Sequence, residues 1–139
     1  MEQLLNQLSG NDKHALLLKV ENEEKEIKIE QLNEREREVA RLIAMLSVVD
    51  AELINAESYV EKHKLDSEYC ILHRKMSDEY REKYSSPQER MDMAQLEEMK
   101  QTKNYNLQRK WKKKVKIYKA IKETITCQIA LYRGVFATK

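Results

Sequence analysis

Apolar residues recur every seven positions in the first half of the chain, with further apolar residues interleaved at steps of three and four. This is the a/d pattern of a left-handed coiled coil, and it predicts a heptad seam over residues 32–60. Its members are Leu32, Val39, Leu42, Leu46, Val49, Leu53 and Val60. The register then slips, which is expected to change the supercoil without ending the helix. Beyond the slip lies a second stripe, formed by Leu65, Tyr69, Leu72, Met76 and Tyr80.

The second half of the chain carries a wider apolar stripe whose members step by three or four, close to the helical period. An apolar face of this width suits packing against more than one helix. We predict that it forms an interaction seam together with the heptad residues. Its members are Leu107, Trp111, Val115, Tyr118, Ile121, Ile125, Ile129, Tyr132 and Phe136.

Residues that break helices are rare in this chain. Its 139 residues include two glycines and one proline, and 36% are charged. Because turns draw on glycine and proline, the composition predicts an all-α protein made of long helices. The predicted order is a short N-terminal segment (1–11), a long helix (12–83) that begins with a charged arm (12–36), a turn (84–87), a second long helix (87–134) and a tail (135–139).

The turn has the clearest local signal. Ser86 stands at an N-cap position, Pro87 at the first helical position and Glu89 at the third, which together form a capping box. Gly134 is expected to end the second helix in a left-handed conformation. At the other end of the chain, Asn11 or Asp12 is expected to cap the first long helix.

A tight connection between two helices usually produces an antiparallel hairpin. Folding back at the turn would set position i opposite roughly 170 − i, so that Trp111 lies near Tyr59 and Ile129 near Leu42. The charged arm 12–36 would then have no partner within the chain. The alternative is a coiled-coil oligomer, in which residues 84–87 form a kink and both helices pair with another chain.

Charge is distributed unevenly around a net value of +2. Residues 1–83 contain 13 Lys and Arg against 19 Asp and Glu, a net −6, whereas residues 84–139 contain 13 against 5, a net +8. Oppositely charged halves favour lying alongside each other, within one chain or between two. Glu52, Glu57 and Glu61 are the acidic residues expected beside the most basic segment.

That basic segment surrounds a tryptophan at residues 109–116. Its basic members are Arg109, Lys110, Lys112, Lys113, Lys114 and Lys116. Such a patch can neutralise the phosphates of nucleic acid or of an acidic membrane, while Trp111 stacks on a base or enters the lipid interface. Alternatively, Trp111 lies on the core face, and the lysines are solvated or pair with the acidic helix.

The sequence contains no motif for catalysis. It has no glycine-rich phosphate loop, and the spacing of His63, Cys70 and His73 on one helix cannot complete a tetrahedral metal site. We therefore expect no enzymatic activity, metal, cofactor or small-molecule substrate. Two cysteines, no signal-like start and no apolar stretch of roughly 20 residues indicate a protein of the cytoplasm or nucleus.

These features predict a non-enzymatic structural coiled-coil subunit that spaces or clamps partner proteins, or copies of itself, in a larger intracellular assembly. The general plan is similar to that of small coiled-coil subunits in cytoskeletal, kinetochore, ciliary and tethering complexes, and no motif selects among them. One alternative is a binding module for anionic surfaces through residues 109–116. Another is a stalk or chaperone-like hairpin of a bacterial export system.

Overall fold

The computed structural model describes residues 1–27 and 32–137, with side chains described up to residue 132. Within these residues all regular elements are helices, which confirms the all-α class. Residues 28–31 of the predicted charged arm and the side chain of Phe136 lie outside the described part. The helices are α1 (Glu2–Leu5), α2 (Gly10–Ile27), α3 (Glu34–Lys75), α4 (Asp78–Lys83), α5 (Pro87–Gln101) and α6 (Lys103–Ala137).

The expected single helix over residues 12–83 is wrong, because polar side chains start new helices inside it. Before α3, the Asn33 side-chain oxygen accepts a hydrogen bond from the backbone N–H of Glu36 at 2.8 Å. Before α4, the Ser77 hydroxyl accepts from the backbone N–H of Tyr80 at 3.3 Å. Each side chain satisfies an amide that the first turn of a helix leaves without a partner. Neither break requires glycine or proline.

The second long helix is also interrupted. Thr102 separates α5 from α6 with a left-handed φ of 59°, a conformation that β-branched residues rarely adopt. Glu98 and Asn104, on either side of this break, are joined by a hydrogen bond of 3.0 Å. At the other end α6 continues to Ala137, so Gly134 does not end the helix as expected. Glycine inside a helix costs about 1 kcal/mol relative to alanine, so it permits termination without enforcing it.

The predicted turn before α5 is present. The Ser86 hydroxyl accepts a hydrogen bond from the backbone N–H of Glu89 at 3.0 Å, and Pro87 opens the helix. The cap of α2 differs from the expectation at Asn11 or Asp12. There the hydroxyl of Ser9 accepts from the backbone N–H of Asp12 at 3.2 Å, and the helix begins at Gly10.

Tertiary contacts divide the chain into two compact units. Unit 1 comprises Met1–Asn55 and Lys114–Lys139, and unit 2 comprises Ala56–Lys113. Unit 1 therefore holds α1, α2 and parts of α3 and α6. Its core includes the almost completely buried side chains of Leu16, Val49, Ile121 and Ile125.

Helix α2 packs inside unit 1, which corrects the expectation that the arm 12–36 lacks an internal partner. Leu16 and Val20 are buried one helical turn apart. At the surface, Lys19 forms an ion pair with Glu52, one of the residues expected beside the basic segment. Helix α2 packs in this way because two apolar positions four residues apart give even a highly charged helix a face to bury.

Two ion pairs of unit 1 join the acidic half of the sequence to the basic half. Lys114 Nζ lies 2.9 Å from Asp12 Oδ2, and Lys122 Nζ lies 2.8 Å from Asp50 Oδ1. Partly exposed pairs of this kind contribute about 0–1 kcal/mol each. They fit the charge complementarity seen in the sequence, but burial of apolar side chains dominates the stability of the unit.

Tyr118 gives this core a pH dependence. Its side chain is buried, and burial, reinforced by the charges of Glu52 and Asp12, raises its pKa to about 12 from 10.0. The stabilisation linked to neutral Tyr118 is complete below pH 10.0 and declines as pH rises toward about 12.

Tyr118→Phe should therefore remove the step near pH 12 from the ultraviolet titration of tyrosinate. The exposed control Tyr105→Phe should keep that step, and its persistence in Tyr118→Phe would contradict the assignment.

In unit 2, the C-terminal part of α3 packs against α5 and α6. As residue numbers rise along α3, the residue numbers of its partners on α5 and α6 fall. The pairs are Tyr59 with Trp111, His63 with Gln108, Cys70 with Asn104, and Arg74 with Gln101. The first is a ring stack with centroids 4.3 Å apart, and it confirms the predicted contact between Tyr59 and Trp111.

Candidate interaction surfaces

The predicted seam residues are turned toward the interior of their own units. None of those with described side chains is exposed. Val49, Leu53, Tyr118, Ile121, Ile125 and Ile129 are buried, and Leu32, Val39, Leu42, Leu46, Val60, Leu107, Trp111, Val115 and Tyr132 are half-buried. The seam is thus occupied by packing within the chain. Its use as a surface for another protein stays a prediction.

Small residues complete this core, and among those that follow, the predicted heptad pattern included only Ala56. Ala40, Ala44 and Val48 are buried at intervals of four on α3, while Ala56 and Ala94 are buried in unit 2. Alanine leaves room for a close approach of helices while contributing little hydrophobicity of its own. The signal in the sequence is therefore the spacing of four, which places all three α3 residues on one face.

Toward its C-terminal end, the face of α3 that packs in unit 2 carries Ser67 and Arg74, which lie against the Glu98 side chain of α5. The side chain of Glu98, only 5% exposed, reaches Arg74 Nη1 at 2.5 Å and Asn104 Nδ2 at 3.0 Å. Arg74 Nη2 also donates to the Gln101 side chain at 2.6 Å, and Ser67 is buried beside the cluster. Burial alone would raise the pKa of Glu98, but hydrogen bonds from Asn104 and Arg74 and the charge of Arg74 outweigh it and leave that pKa lowered.

The opposite face of the same helix segment is apolar and exposed. Four residues spaced by four, three and four positions define what we call the outer stripe. They are Leu65 (54% exposed), Tyr69 (68%), Leu72 (49%) and Met76 (58%). The segment therefore has an inverted pattern, with Ser67 and Arg74 on its packed side and large apolar side chains on its exposed side.

This inversion has an energetic consequence. Complete burial of a leucine or methionine side chain contributes about 1.5–3 kcal/mol, so covering a half-exposed one contributes about 1 kcal/mol. The outer stripe leaves that free energy unused. Contiguous apolar side chains that are exposed to solvent are typical of sites that bind another molecule.

Charged residues border the outer stripe on both sides. With 3.6 residues per turn, Asp66 and His73 lie along one edge, and Glu68 and Lys75 lie along the other. Each edge thus has an acidic residue toward the N-terminal end of the stripe and a basic one toward its C-terminal end. The rings of Tyr69 and His73 are in contact, with centroids 6.0 Å apart.

The basic segment 109–116 does not present its tryptophan as the anionic-surface hypothesis requires. Trp111 is half-buried and stacks on Tyr59 with only 13° between the ring planes. Lys114 pairs with Asp12, while the other five basic side chains are exposed. The arrangement resembles the alternative in which Trp111 packs inside and lysines solvate the outside. Binding of anionic surfaces stays a prediction.

The described residues contain no group of three or more His, Cys, Asp and Glu side chains placed to hold a metal ion. A small apolar hollow in unit 1 is lined by Leu42, Leu131 and Tyr132, with Glu38 and Gln128 at its sides. It extends the packed stripe of α6 to the surface. The outer stripe, whose last member Met76 directly follows α3, remains the longer run of exposed apolar side chains.

Comparison with known proteins gives no relative on which to base a function. No family model matches the chain, and neither a curated protein nor a solved structure matches it. Among the helices in the described part, none is both long and apolar enough to cross a bilayer. The function is therefore inferred from the arrangement of the described residues.

Proposed function

We propose that this protein is a structural subunit that binds a helix of another protein chain through the outer stripe. The observation that carries this proposal is the inverted pattern of α3, whose polar face is used inside unit 2 while its apolar stripe is exposed. A helix that binds on both sides can link its own unit to a partner, as a spacer or clamp does. The work expected of such a subunit is mechanical and not catalytic.

The packing of unit 2 supports the hairpin part of this proposal. Along α3 the residue numbers of the contact partners decrease, as expected when α3 pairs antiparallel with α5 and α6. The same pairing directs Ser67 and Arg74 toward Glu98, because these residues share one helical face. The outer stripe lies on the opposite face and stays accessible to a partner when the hairpin is closed.

The apolar seam residues support the choice of the outer stripe as the binding surface. Since those residues pack against helices of the same unit, exposing them to a partner would require the unit to open. The outer stripe needs no such change. Rigid docking of preformed helices is the usual behaviour of well-ordered interfaces.

A photo-crosslinking amino acid at Tyr69 tests the proposal in the cells that make the protein. Tyr69 is the most exposed member of the stripe, so its replacement should leave the fold intact and yield a covalent adduct with a protein. The same amino acid at Asn106, an exposed position on α6, is the matched control and should yield little adduct. Mass spectrometry of the adducts identifies the captured molecule.

The adducts decide the proposal as follows. A protein captured at Tyr69 but not at Asn106 supports it, whether that protein is a second copy or a different chain. Equal capture at both positions indicates random collision, and capture of nucleic acid or lipid alone favours an anionic surface. Either of these results contradicts the proposed function.

A further inference from the structure

The spacing of the outer stripe is suited to pairing with itself. Two copies of α3 running in opposite directions can align so that Tyr69 of each meets Leu72 of the other. In the same alignment, Leu65 of one copy meets Met76 of the other. All four stripe residues then form alternating layers of the a/d type. Two-fold symmetry makes one surface complementary to itself.

The charges along the edges select this direction. In the antiparallel alignment, Glu68 of one copy lies beside Lys75 of the other, and Asp66 lies beside His73. Each contact occurs twice by symmetry and brings together an acidic and a basic side chain. Unlike charges that face each other across a helix pair fix its orientation more than they add affinity.

A parallel alignment fits less well. Parallel helices bring each g position beside the next e position of the partner, five residues later. That places Glu61 of one copy beside Asp66 of the other, and Glu68 beside His73, each twice; the Glu68–Lys75 contact is absent. Like charges in these positions destabilise a pair, so the sequence disfavours the parallel arrangement.

We propose that the partner of the outer stripe is a second copy of this chain, bound antiparallel through Leu65, Tyr69, Leu72 and Met76, with Glu68 beside the partner's Lys75. This inference rests on the proposed function, because it names the protein that the stripe binds. Four half-exposed side chains per copy form a contact smaller than the roughly 800 Å² per partner of a standard interface. The pair is therefore expected to dissociate reversibly at micromolar concentrations.

Charge reversal provides the test, because Glu68 is exposed and Lys75 is half-buried, so neither change alters a core side chain. Sedimentation from about 1 µM to about 500 µM should show a reversible monomer–dimer equilibrium for the wild-type chain. Glu68→Lys places lysine beside lysine, and Lys75→Glu places glutamate beside glutamate. Each variant alone should weaken dimerisation by about tenfold or more, a change of about 1.4 kcal/mol in binding free energy.

Sedimentation of the two variants mixed together is the decisive measurement. One copy with Glu68→Lys and one with Lys75→Glu restore unlike charges at both contacts, so the mixed pair should form nearly as well as the wild type. The parallel arrangement predicts no such rescue, since Lys75 does not face Glu68 there. Glu57→Lys makes the same charge change elsewhere on α3 and should leave dimerisation within about threefold of the wild type.

Three results would overturn the inference: a monomer at all concentrations, a dimer insensitive to both reversals, or single defects that mixing does not repair. They are separable from failure of the proposed function. If sedimentation gives one of them while photo-crosslinking at Tyr69 still captures a different protein, the stripe binds another chain and only the self-pairing is refuted. Loss of the protein adduct as well refutes both.

Discussion

Arg74→Leu is expected to lower the free energy of unfolding of unit 2 by about 3 kcal/mol. Arg74 neutralises Glu98 and donates a hydrogen bond to it at 2.5 Å, and the Glu98 side chain is almost fully buried. Without the guanidinium, a carboxylate would remain in the interior with only part of its hydrogen bonds. The cost arises mainly from this stranded charge and less from loss of the attraction itself.

Arg41→Leu is the matched control for this substitution. Arg41 pairs with Glu38 at 3.0 Å, but both side chains are about half exposed. The same change there should cost about 0–0.5 kcal/mol. Denaturant unfolding monitored by Trp111 fluorescence measures unit 2, where the tryptophan stacks on Tyr59, and helicity measures the whole chain. Similar losses for the two variants would show that the buried cluster is not special.

A second substitution separates the stranded charge from other causes. Arg74→Leu combined with Glu98→Leu removes both charges, and the double variant should be more stable than Arg74→Leu alone. If the double variant is instead less stable, the single variant lost packing and not charge compensation.

The pH dependence of the same cluster has a definite sign. Because the pKa of Glu98 is lowered in the folded protein from 4.5, the cluster stabilises the fold above pH 4.5, and this contribution is lost as pH falls through the folded pKa. Once Glu98 is protonated and neutral, removal of the Arg74 guanidinium leaves no unpaired charge in the interior. The stability difference between wild type and Arg74→Leu should therefore shrink in acid.

How much of this structure the sequence predicts depends on the kind of question. The heptad positions and the α6 stripe identify residues that are buried or half-buried, because apolar periodicity reports directly on which positions share a face. The N-cap at Ser86 is equally local, and it was predicted correctly. The caps at Asn33 and Ser77 were missed because asparagine and serine also occur within continuous helices, where they do not cap.

The outer stripe marks the limit of that reasoning. Periodicity places Leu65, Tyr69, Leu72 and Met76 on one face, but it does not say which way the face points. Its outward direction depends on Arg74 and Glu98, which lie 24 positions apart and meet only in the folded unit. A sequence pattern does not tell whether a helix buries its ion-pairing face or its apolar stripe. The free energies of these two arrangements depend on partners from other helices.

Leu16→Ala is expected to destabilise unit 1 by about 3 kcal/mol, within the range of 2–5 kcal/mol typical of leucine truncation in a core. Leu16 is 1% exposed although it belongs to a helix that the sequence presented as a solvated arm. Leu18→Ala, two residues away and 51% exposed, is the matched control and should cost less than about 0.5 kcal/mol. Denaturant unfolding followed by helicity compares the two variants. Since both make the same chemical change within one helix, a difference of more than about 2 kcal/mol can come only from burial. Equal effects would mean that α2 does not pack in unit 1, and the solvated arm would be the better description of this segment.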